Sequence, residues 1–246
     1  MAPSVSILQA NVNHCVAAQD LLIQTAAQWK IDVVIVAEPY YVRDRDDWAG
    51  DRDDSVAIVA WRRTGPTPFK SITKGRGWVL ASLGGIAVIG VYFAPSRSFA
   101  DFERMLAEVG ALVADAHPTP VVVAGDFNAK SSAWGSPVTD LRGETLADWA
   151  VSTGLVLLNR GAAQTCVRSQ GGSIVDLSFA SPALARRTRR WRVEEGVETL
   201  SDHRYIRFDM VSTPADASAV TPDRPLPGEG PRWKVSTLDP ELAKEA

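Results

Sequence analysis

Polar residues stand at the ends of several apolar, strand-like segments, although the strands themselves do not need a polar residue there. These positions are Asn11, Glu38, Tyr92, Asp126 with Asn128, Asp176, and Asp202 with His203. In layered α/β proteins, ligands bind at the edge where the strands end. Each residue alone also fits an ordinary role as a turn, a cap or a half-buried sheet position, so the prediction of an active site rests on the whole set.

The set contains the groups that phosphodiester hydrolysis requires. Glu38 offers a carboxylate of the kind that Mg²⁺ prefers. Asp126 with Asn128 could orient and deprotonate an attacking water. A protonated His203 would stabilise the charge that builds on the phosphate oxygens, and Asp176 is the carboxylate expected to keep it protonated.

Other chemistries lack a matching pattern. No spacing of histidines and cysteines resembles a zinc ligand set. The sequence also has no nucleophile elbow and no phosphate-binding glycine loop, because the GRG segment at 75–77 is too short to form one. We therefore expect hydrolysis assisted by a hard cation.

The length of 246 residues fits one large α/β domain or two small ones, and a content of 46% hydrophobic and 22% charged residues is ordinary for a soluble globular protein. A net charge of -3 argues against non-specific coating of nucleic acid. The two cysteines, Cys15 and Cys166, make at most one disulfide, and no signal-peptide pattern is present, so a reducing compartment is expected. The apolar runs are strand-sized, which excludes a role in the membrane.

Strand and helix patterns alternate in mixed order. Strands are predicted at 4–10, 32–37, 55–61, 77–83, 86–93, 121–124, 155–158, 164–169, 173–180, 190–195 and 204–210. Helices are predicted at 15–29, 98–116 and 144–152, with a further helix opening at Ser181-Pro182. Many strands and few helices indicate two packed mixed sheets with the helices outside.

The character of the sequence changes after Met210. Prolines become frequent and apolar periodicity is lost, with prolines at 214, 222, 225, 227 and 231. This composition is typical of a linker. We predict a domain at 1–211 and a proline-rich linker at 212–246.

The order of the motifs resembles that of the endonuclease/exonuclease/phosphatase superfamily. The matching segments are 9–13 (QANVN), 37–39 (AEP), Tyr92, 125–128 (GDFN), 176–179 (DLSF) and 201–203 (SDH). The resemblance implies a DNase I-like α/β fold, a four-layer sandwich of two mixed β-sheets flanked by helices.

The same resemblance implies roles for the individual site residues. It places a Mg²⁺ site at Glu38 with Asn11 and Asp202 nearby, and it assigns water activation to Asp126. It further implies phosphate contacts from Asn128 and Tyr92, and a His203–Asp176 pair. Mn²⁺ is expected to substitute for Mg²⁺.

Within the superfamily, the chain is most similar to the apurinic-type endonuclease domains of non-LTR retrotransposons, in particular to the TRAS lineage, which inserts into telomeric repeats. The supporting segments are 128–135, 154–159, 164–168 and 198–204. The resemblance implies nicking of double-stranded DNA to leave a 3′-hydroxyl that primes reverse transcription. It also implies a downstream reverse transcriptase domain in the same polyprotein, and action in the nucleus.

Alternatives remain open at this point. Repair-type apurinic endonucleases carry Asp at the position of Asn13, so this departure weakens a repair function or a second metal. A phosphatase or lipid phosphodiesterase of the same fold, or a catalytically silent DNA-binding module, is less consistent with the motif set.

Selectivity for DNA sequence is expected to come from loops, because catalytic residues at strand ends touch mainly phosphate. A hairpin from Thr165 to Ile174 is the candidate, with its second strand carrying Asp176 directly into the site. The predicted DNA contacts are Thr165, Arg168, Ser169, Gln170 and, outside the hairpin, Ser201.

Overall fold

A computed structural model describes residues 4–61, 68–83 and 85–211. In chain order the strands are β1 (Ser4–Asn11), β2 (Val33–Ala37), β3 (Trp48–Gly50), β4 (Val56–Ala60), β5 (Ser71–Lys74), β6 (Trp78–Leu83), β7 (Ile86–Tyr92), β8 (Val121–Asp126), β9 (Val156–Leu157), β10 (Cys166–Arg168), β11 (Gly171–Ser173), β12 (Asp176–Ala180), β13 (Thr188–Val193) and β14 (Ile206–Val211). The α-helices are α1 (Val16–Gln28), α2 (Phe99–Asp115), α3 (Leu141–Ser152) and α4 (Pro182–Ala185), and a 3₁₀ helix spans Ser132–Trp134.

The strands form two mixed six-stranded sheets, which confirms the predicted architecture. The first sheet has the order β13-β14-β1-β2-β4-β3 and the second the order β5-β6-β7-β8-β12-β9. In each sheet the two central strands are parallel and joined through a helix, as β1-α1-β2 and β7-α2-β8. Strands β10 and β11 form a separate two-stranded ladder.

Alternation of apolar residues along the central strands produces the layers. Ile7 of β1 and Val88 of β7 lie in the core between the two sheets. Their neighbours in sequence face the opposite way, because successive strand side chains alternate between faces. Leu8 therefore packs with α1, and Ile89 packs with α2 and α3. The order of layers is helix, sheet, sheet, helix.

This topology brings the predicted site residues to one edge. Asn11 ends β1 and Glu38 directly follows β2, while Tyr92 ends β7 and Asp126 ends β8. Because β1 runs parallel to β2, and β7 to β8, each pair of carboxyl ends is adjacent. Asp176 begins β12, which is antiparallel to β8, and so reaches the same edge.

Several predicted boundaries are confirmed. Ser98 caps α2 by accepting a hydrogen bond from the Asp101 backbone amide, and Pro182 occupies the first turn of α4. Leu83 pairs with Ile86, as expected for the predicted two-residue turn, although Gly84 itself lies outside the described residues. The predicted linker at 212–246 also lies outside them.

Other predictions are corrected by the structure. Helix α3 begins at Leu141 rather than near Glu144, because Asp140 caps it through the Gly143 amide. Strands β3 and β5 were not predicted: β3 has three residues, and the four residues of β5 are all exposed. No helix in the described part of the chain is long and apolar enough to cross a membrane.

The predicted hairpin around 164–180 is shorter than expected. Its strands are β10 and β11, and the tip between them is Ser169-Gln170. Asp176 belongs instead to β12, which pairs with β8 and β9. The chain therefore leaves the two-stranded ladder at 174–175 before it enters the second sheet.

Candidate active site

Asn11 joins the two sheets at the site. Its Nδ2 donates to Glu38 Oε2 at 2.8 Å and to Asp126 Oδ2 at 3.0 Å. Its Oδ1 accepts from the Asn13 backbone amide at 2.8 Å. Asn11 is 1% exposed, and its contact with Asp126 is buried, whereas those with Glu38 and Asn13 lie at the border with solvent. One amide thus fixes the relative position of the two acidic residues, one following β2 and one ending β8.

Asp126 is a buried carboxylate that several donors hold in place. Its Oδ1 accepts from the Asn128 backbone amide at 2.9 Å, and its Oδ2 accepts from Asn128 Nδ2 at 3.2 Å. Burial, reinforced by the nearby Asp176 carboxylate, raises the pKa of Asp126 well above its usual range. A carboxylate with a raised pKa is a better proton acceptor, as a general base requires.

His203 is paired with Asp176. The distance from Nδ1 to Asp176 Oδ2 is 2.8 Å, and both side chains are buried. Burial alone would lower the pKa of His203, but the Asp176 charge and hydrogen bond, together with Asp126, raise it far above its usual range. This raised pKa favours the protonated imidazole, in which Nδ1–H donates to Asp176. Its Nε2 lies 4.0 Å from Asp126 Oδ2 and 3.8 Å from Asp202 Oδ1.

Tyr92 is a neighbour of Glu38, the carboxylate that Asn11 links to Asp126. Burial, followed by the Glu38 carboxylate, raises the pKa of Tyr92 far above its usual range. Tyr92 is thus a neutral phenol that can donate a hydrogen bond. Glu38 Oε1 lies 3.6 Å from His14 Nε2, and the Glu38 side chain is 18% exposed, so this carboxylate is accessible from solvent.

The backbone at the strand ends is held in conformations that are uncommon for residues other than glycine. Glu38 has φ 47° and Asn128 has φ 46°. Gly125, with φ 151°, precedes Asp126, and a Cβ there would lie 1.8 Å from the Val91 carbonyl oxygen. The GDFN motif therefore needs its glycine so that β8 can approach β7 closely, which sets the direction of the Asp126 side chain.

Asp202 is oriented by Arg168. Arg168 Nε donates to Asp202 Oδ2 at 2.6 Å. Burial would raise the pKa of Asp202, but Arg168 and His203 together hold it below its usual range. Asn11 contacts Glu38 directly, whereas Asp202 Oδ1 lies 3.8 Å from His203 Nε2. The metal-binding role of Asp202 stays a prediction.

The predicted DNA-contacting residues fall into two groups. Ser169 and Gln170 are exposed at the hairpin tip, and Arg168 is 67% exposed despite its ion pair. Ser201 is half-buried, and its Oγ accepts from the His203 amide at 3.2 Å. The prediction for Thr165 is wrong, because its side chain is fully buried. Thr165 Oγ1 accepts from the backbone amides of Val175 and Asp176, both at 3.1 Å, and so positions the start of β12.

Two side-chain amides that the sequence analysis missed, the buried Gln9 and the half-buried Asn159, also position the site. Gln9 Nε2 donates to the Gly125 carbonyl at 3.0 Å, and Gln9 Oε1 accepts from Ser178 Oγ at 2.9 Å. Asn159 donates to the Asp176 carbonyl at 3.1 Å and accepts from the Ser178 amide at 2.9 Å. Leaving one such buried group unpaired costs about 1–3 kcal/mol. The available signal was Gln9, a polar residue between the apolar Leu8 and Ala10 of β1.

A cleft of about 200 Å³ beside Tyr92 was also missed. It is lined by Asp53, Ser55, Arg76, Tyr92, Ala94 and Arg97. The Arg97 guanidinium lies 5.3 Å from the centre of the Phe93 ring, and Arg76 is 73% exposed. Two guanidinium groups next to a site for phosphate chemistry can bind the flanking phosphates of a strand.

The site offers suitable donors for a cation. Ligand atoms of Asp126, Asp176 and His203 lie within 4.8 Å of one another, and so do those of Cys166, Asp202 and His203. Glu38 adds a separate carboxylate beside the Asn11 amide. A divalent cation in this acidic environment would bind mainly through oxygen.

The sequence is similar to a family and to a curated protein that are both associated with retrotransposition. The family described as endonuclease-reverse transcriptase matches residues 86–207. The 115 kDa protein of the type-1 retrotransposable element R1DM of Drosophila melanogaster is 26% identical over 258 aligned positions, which cover 98% of this chain and 24% of that protein. The chain thus spans about a quarter of the length of the curated relative it matches.

Solved structures show the same fold. The endonuclease domain of TRAS1, a telomere-specific non-LTR retrotransposon, superimposes with a TM-score of 0.69 at 27% identity, covering 86% of this chain and 100% of that one. A 3′ phosphatase from Neisseria, bound to a product DNA hairpin, has a TM-score of 0.65 at 19% identity, with 83% and 98% covered. An AP endonuclease from Archaeoglobus fulgidus has a TM-score of 0.60 at 16% identity, with 83% and 98% covered. At these identities the last two similarities concern the fold alone.

Proposed function

We propose that this DNA-hydrolysing enzyme, which is similar to the endonuclease-reverse transcriptase family and to the endonuclease domain of TRAS1, is the endonuclease domain of a non-LTR retrotransposon and nicks double-stranded DNA with the help of Mg²⁺. The nick leaves a 3′-hydroxyl that primes reverse transcription. The observation that carries this proposal is the buried arrangement of Asp126, His203 and Asp176 at the edge shared by both sheets.

In the proposed reaction Asp126 is the general base. It accepts a proton from a water as the water oxygen bonds to phosphorus, and the bond from phosphorus to the 3′ oxygen breaks. The departing 3′ oxygen takes up a proton from solvent, which gives a 3′-hydroxyl and a 5′-phosphate. The Asn128 amide groups hold Asp126 in the orientation needed for this transfer.

Charge that builds on the phosphate during attack is stabilised by donors that are already in place. His203 is cationic and its Nε2–H faces the site, while Asp176 fixes the ring through Nδ1. The neutral phenol of Tyr92 supplies a second donor. Since these groups do not reorganise during the reaction, they lower the barrier more than mobile water could.

Glu38 and Asn11 would hold the Mg²⁺ ion, with Asp202 as the predicted third ligand. The donors suit a hard cation, since Glu38 Oε1 is not used by Asn11 and Asn11 Oδ1 retains a second lone pair. When bound, the ion would neutralise negative charge on the phosphate and the leaving oxygen. Mn²⁺, which also prefers oxygen ligands, is expected to replace it.

The biological setting is also part of the proposal. The name of the matching TRAS1 domain describes a telomere-specific element, and the R1DM relative is much longer than this chain. We therefore infer telomeric repeats as the target, a reverse transcriptase domain of the same polyprotein as the partner, and the nucleus as the place of action.

Supercoiled plasmid provides the test. With Mg²⁺ the protein should convert it to open circles whose nicks carry 3′-hydroxyl and 5′-phosphate ends, and chelation should stop the reaction. Ends bearing 3′-phosphate would contradict the mechanism. Strong preference for abasic over intact duplex would indicate a repair enzyme, and binding without cleavage would indicate a silent module.

The metal assignment is tested by two substitutions. Glu38→Gln should raise the Mg²⁺ concentration needed for half-maximal rate, because it removes the ligand charge. Asp202→Asn should do the same only if Asp202 is a ligand. An unchanged Mg²⁺ requirement in Glu38→Gln would reject the proposed site.

A further inference from the structure

Cys166 has no part in the chemistry described above, yet it lies beside the catalytic histidine. Its backbone forms an isolated antiparallel bridge with His203, and it is 4% exposed. Its Sγ lies 3.8 Å from Asp202 Oδ2. Thiol, imidazole and carboxylate together form a ligand set typical of Zn²⁺, whereas Mg²⁺ avoids sulfur.

Asp202 provides the second observation. Its Oδ1 is buried and has no hydrogen-bond partner among the residues that the structure describes, while Oδ2 accepts from Arg168. Leaving an acceptor of this kind buried and unpaired is unfavourable. Oδ1 lies 3.8 Å from His203 Nε2. A cation bound between these two atoms would satisfy Oδ1 and leave the ion pair with Arg168 intact.

His203 is already oriented for such a ligand role. Asp176 occupies Nδ1, so Nε2 is the ring nitrogen that remains for a metal. A carboxylate bonded to the other nitrogen of a ligating histidine is a usual arrangement at zinc sites, where it fixes the ring and strengthens the ligand.

The distances require only small movements. Ligand atoms of Cys166, Asp202 and His203 all lie within 4.8 Å of one another. Ligands of a tetrahedral Zn²⁺ ion stand roughly 3.3–3.6 Å apart, given metal–ligand bonds of about 2.0–2.3 Å. Small shifts of the three side chains, without a change of rotamer, would therefore bring their ligand atoms to these separations.

We propose that Cys166, Asp202 and His203 form a Zn²⁺ site whose occupation switches nicking off; it shares only Asp202 with the proposed Mg²⁺ site at Glu38 and Asn11. Binding joins the ion to Cys166 Sγ, Asp202 Oδ1 and His203 Nε2, and it releases the thiol proton and the Nε2 proton to solvent. His203 Nε2 is then occupied by the ion and is no longer available to the phosphate. The binding itself is independent of the proposed function, whereas the inhibition rests on it.

This site was not visible in the sequence. Cys166 is separated by more than thirty residues from Asp202 and His203, so no short ligand spacing exists. The bridge between Cys166 and His203 brings the ligands together only in the folded chain.

Co²⁺ is the probe for binding, because it adopts zinc-like tetrahedral sites and gives a thiolate charge-transfer band in the near ultraviolet. The wild-type protein should show this band with one equivalent of Co²⁺, and Zn²⁺ should abolish it. Cys166→Ser should lack the band. Cys15→Ser, which changes the only other cysteine, is the matched control and should retain it. Absence of the band in wild type, or its presence in Cys166→Ser, overturns the proposal.

A second variant tests the site independently, in case Cys166→Ser loses the band only because it fails to fold. Asp202→Asn changes a side chain that is partly exposed, and it should keep the thiolate band but weaken Co²⁺ affinity by about 10- to 100-fold. Unchanged affinity would exclude Asp202 as a ligand and with it the proposed site.

The inhibition is tested with Zn²⁺ added to nicking assays that contain excess Mg²⁺. Wild type and Cys15→Ser should lose activity as the site fills. Cys166→Ser should nick at the wild-type rate without Zn²⁺ and need about 10- to 100-fold more Zn²⁺ for the same inhibition. Equal sensitivity of Cys166→Ser and wild type would reject the switch. Loss of nicking by every protein even without Zn²⁺ would count against the proposed function, while the cobalt band would still decide the site.

Discussion

Asp126 and Asp176 lie directly opposite each other in the antiparallel pair of β8 and β12. Two buried carboxylates in this position repel each other, and this repulsion adds to the effect of burial on the pKa of Asp126. His203 contacts Asp176 at 2.8 Å and lies 4.0 Å from Asp126, so its positive charge offsets the repulsion. The pKa values of Asp126 and His203 therefore both depend on the charge of Asp176.

Replacement of either Asp126 or His203 by Ala should lower the nicking rate by about 10² to 10⁴, the range typical of losing a general base or a charge-stabilising donor. Affinity for DNA should change little, because both side chains are buried and other, exposed residues are expected to contact the DNA phosphates. Rates from plasmid nicking and affinities from binding without Mg²⁺ would be compared.

Asp115→Ala and His117→Ala provide matched controls, since both residues are exposed at the end of α2 or just beyond it. They should behave as wild type. A loss of less than about tenfold in Asp126→Ala or His203→Ala would mean that these residues are bystanders.

Asp176→Asn should move the whole pH–rate profile to lower pH. Loss of the Asp176 charge lowers the pKa of His203, so the histidine loses its proton at a lower pH and the basic limb shifts down. It also removes the repulsion that raises the pKa of Asp126, so the base stays ionised to lower pH and the acidic limb shifts down as well.

The profile of kcat/KM against pH reports both limbs in the free enzyme. Asp209→Asn is a suitable comparison, because Asp209 is also buried and ion-paired, with Arg190, but belongs to β14. An unchanged pH dependence of kcat/KM in Asp176→Asn would show that Asp176 does not control the charge of His203.

Substitutions in the cleft beside Tyr92 should weaken DNA binding rather than slow the chemical step. Arg97→Ala and Arg76→Ala are expected to raise KM with little change in kcat, because their guanidinium groups would contact phosphates away from the scissile bond. Each lost phosphate contact should also reduce the slope of log affinity against log salt by about 0.9.

Lys30→Gln removes an exposed positive charge from the opposite edge of the first sheet, just before β2, and serves as the control. If Arg97→Ala and Lys30→Gln had the same small effect, the cleft would not bind DNA.

Residue type and order predicted the layers and the position of the site well. Apolar strands that end in polar residues fix which edge carries Asn11 and Asp126, and parallel pairing follows from the helices between the strands. The short strand β5 could not be predicted in this way, because its residues are all exposed and it is held only by pairing with β6.

Contacts between residues far apart in sequence could not be predicted from the sequence either. Arg168 was predicted to face DNA, yet it forms an ion pair with Asp202, 34 residues away. Thr165 was assigned to the hairpin surface, although the turn from the ladder into β12 buries it against the Asp176 amide. Local patterns indicate that a residue is polar but not which distant partner satisfies it.

The hairpin tip is the remaining candidate for reading the DNA sequence. Ser169 and Gln170 are exposed between β10 and β11, and the ladder is joined to the active site through Arg168 and Asp202. Gly171, with φ 126°, permits the tight turn that would let this tip enter a groove.

Replacing Ser169-Gln170 by Asn-Gly keeps a two-residue turn and leaves Arg168 in place. Nick positions on target DNA should then scatter, while total plasmid nicking changes only modestly. An unchanged cleavage map would reject the hairpin as the reading element and direct attention to the arginine cluster at 186–192. A large loss of total nicking would show that the tip supports catalysis rather than selectivity.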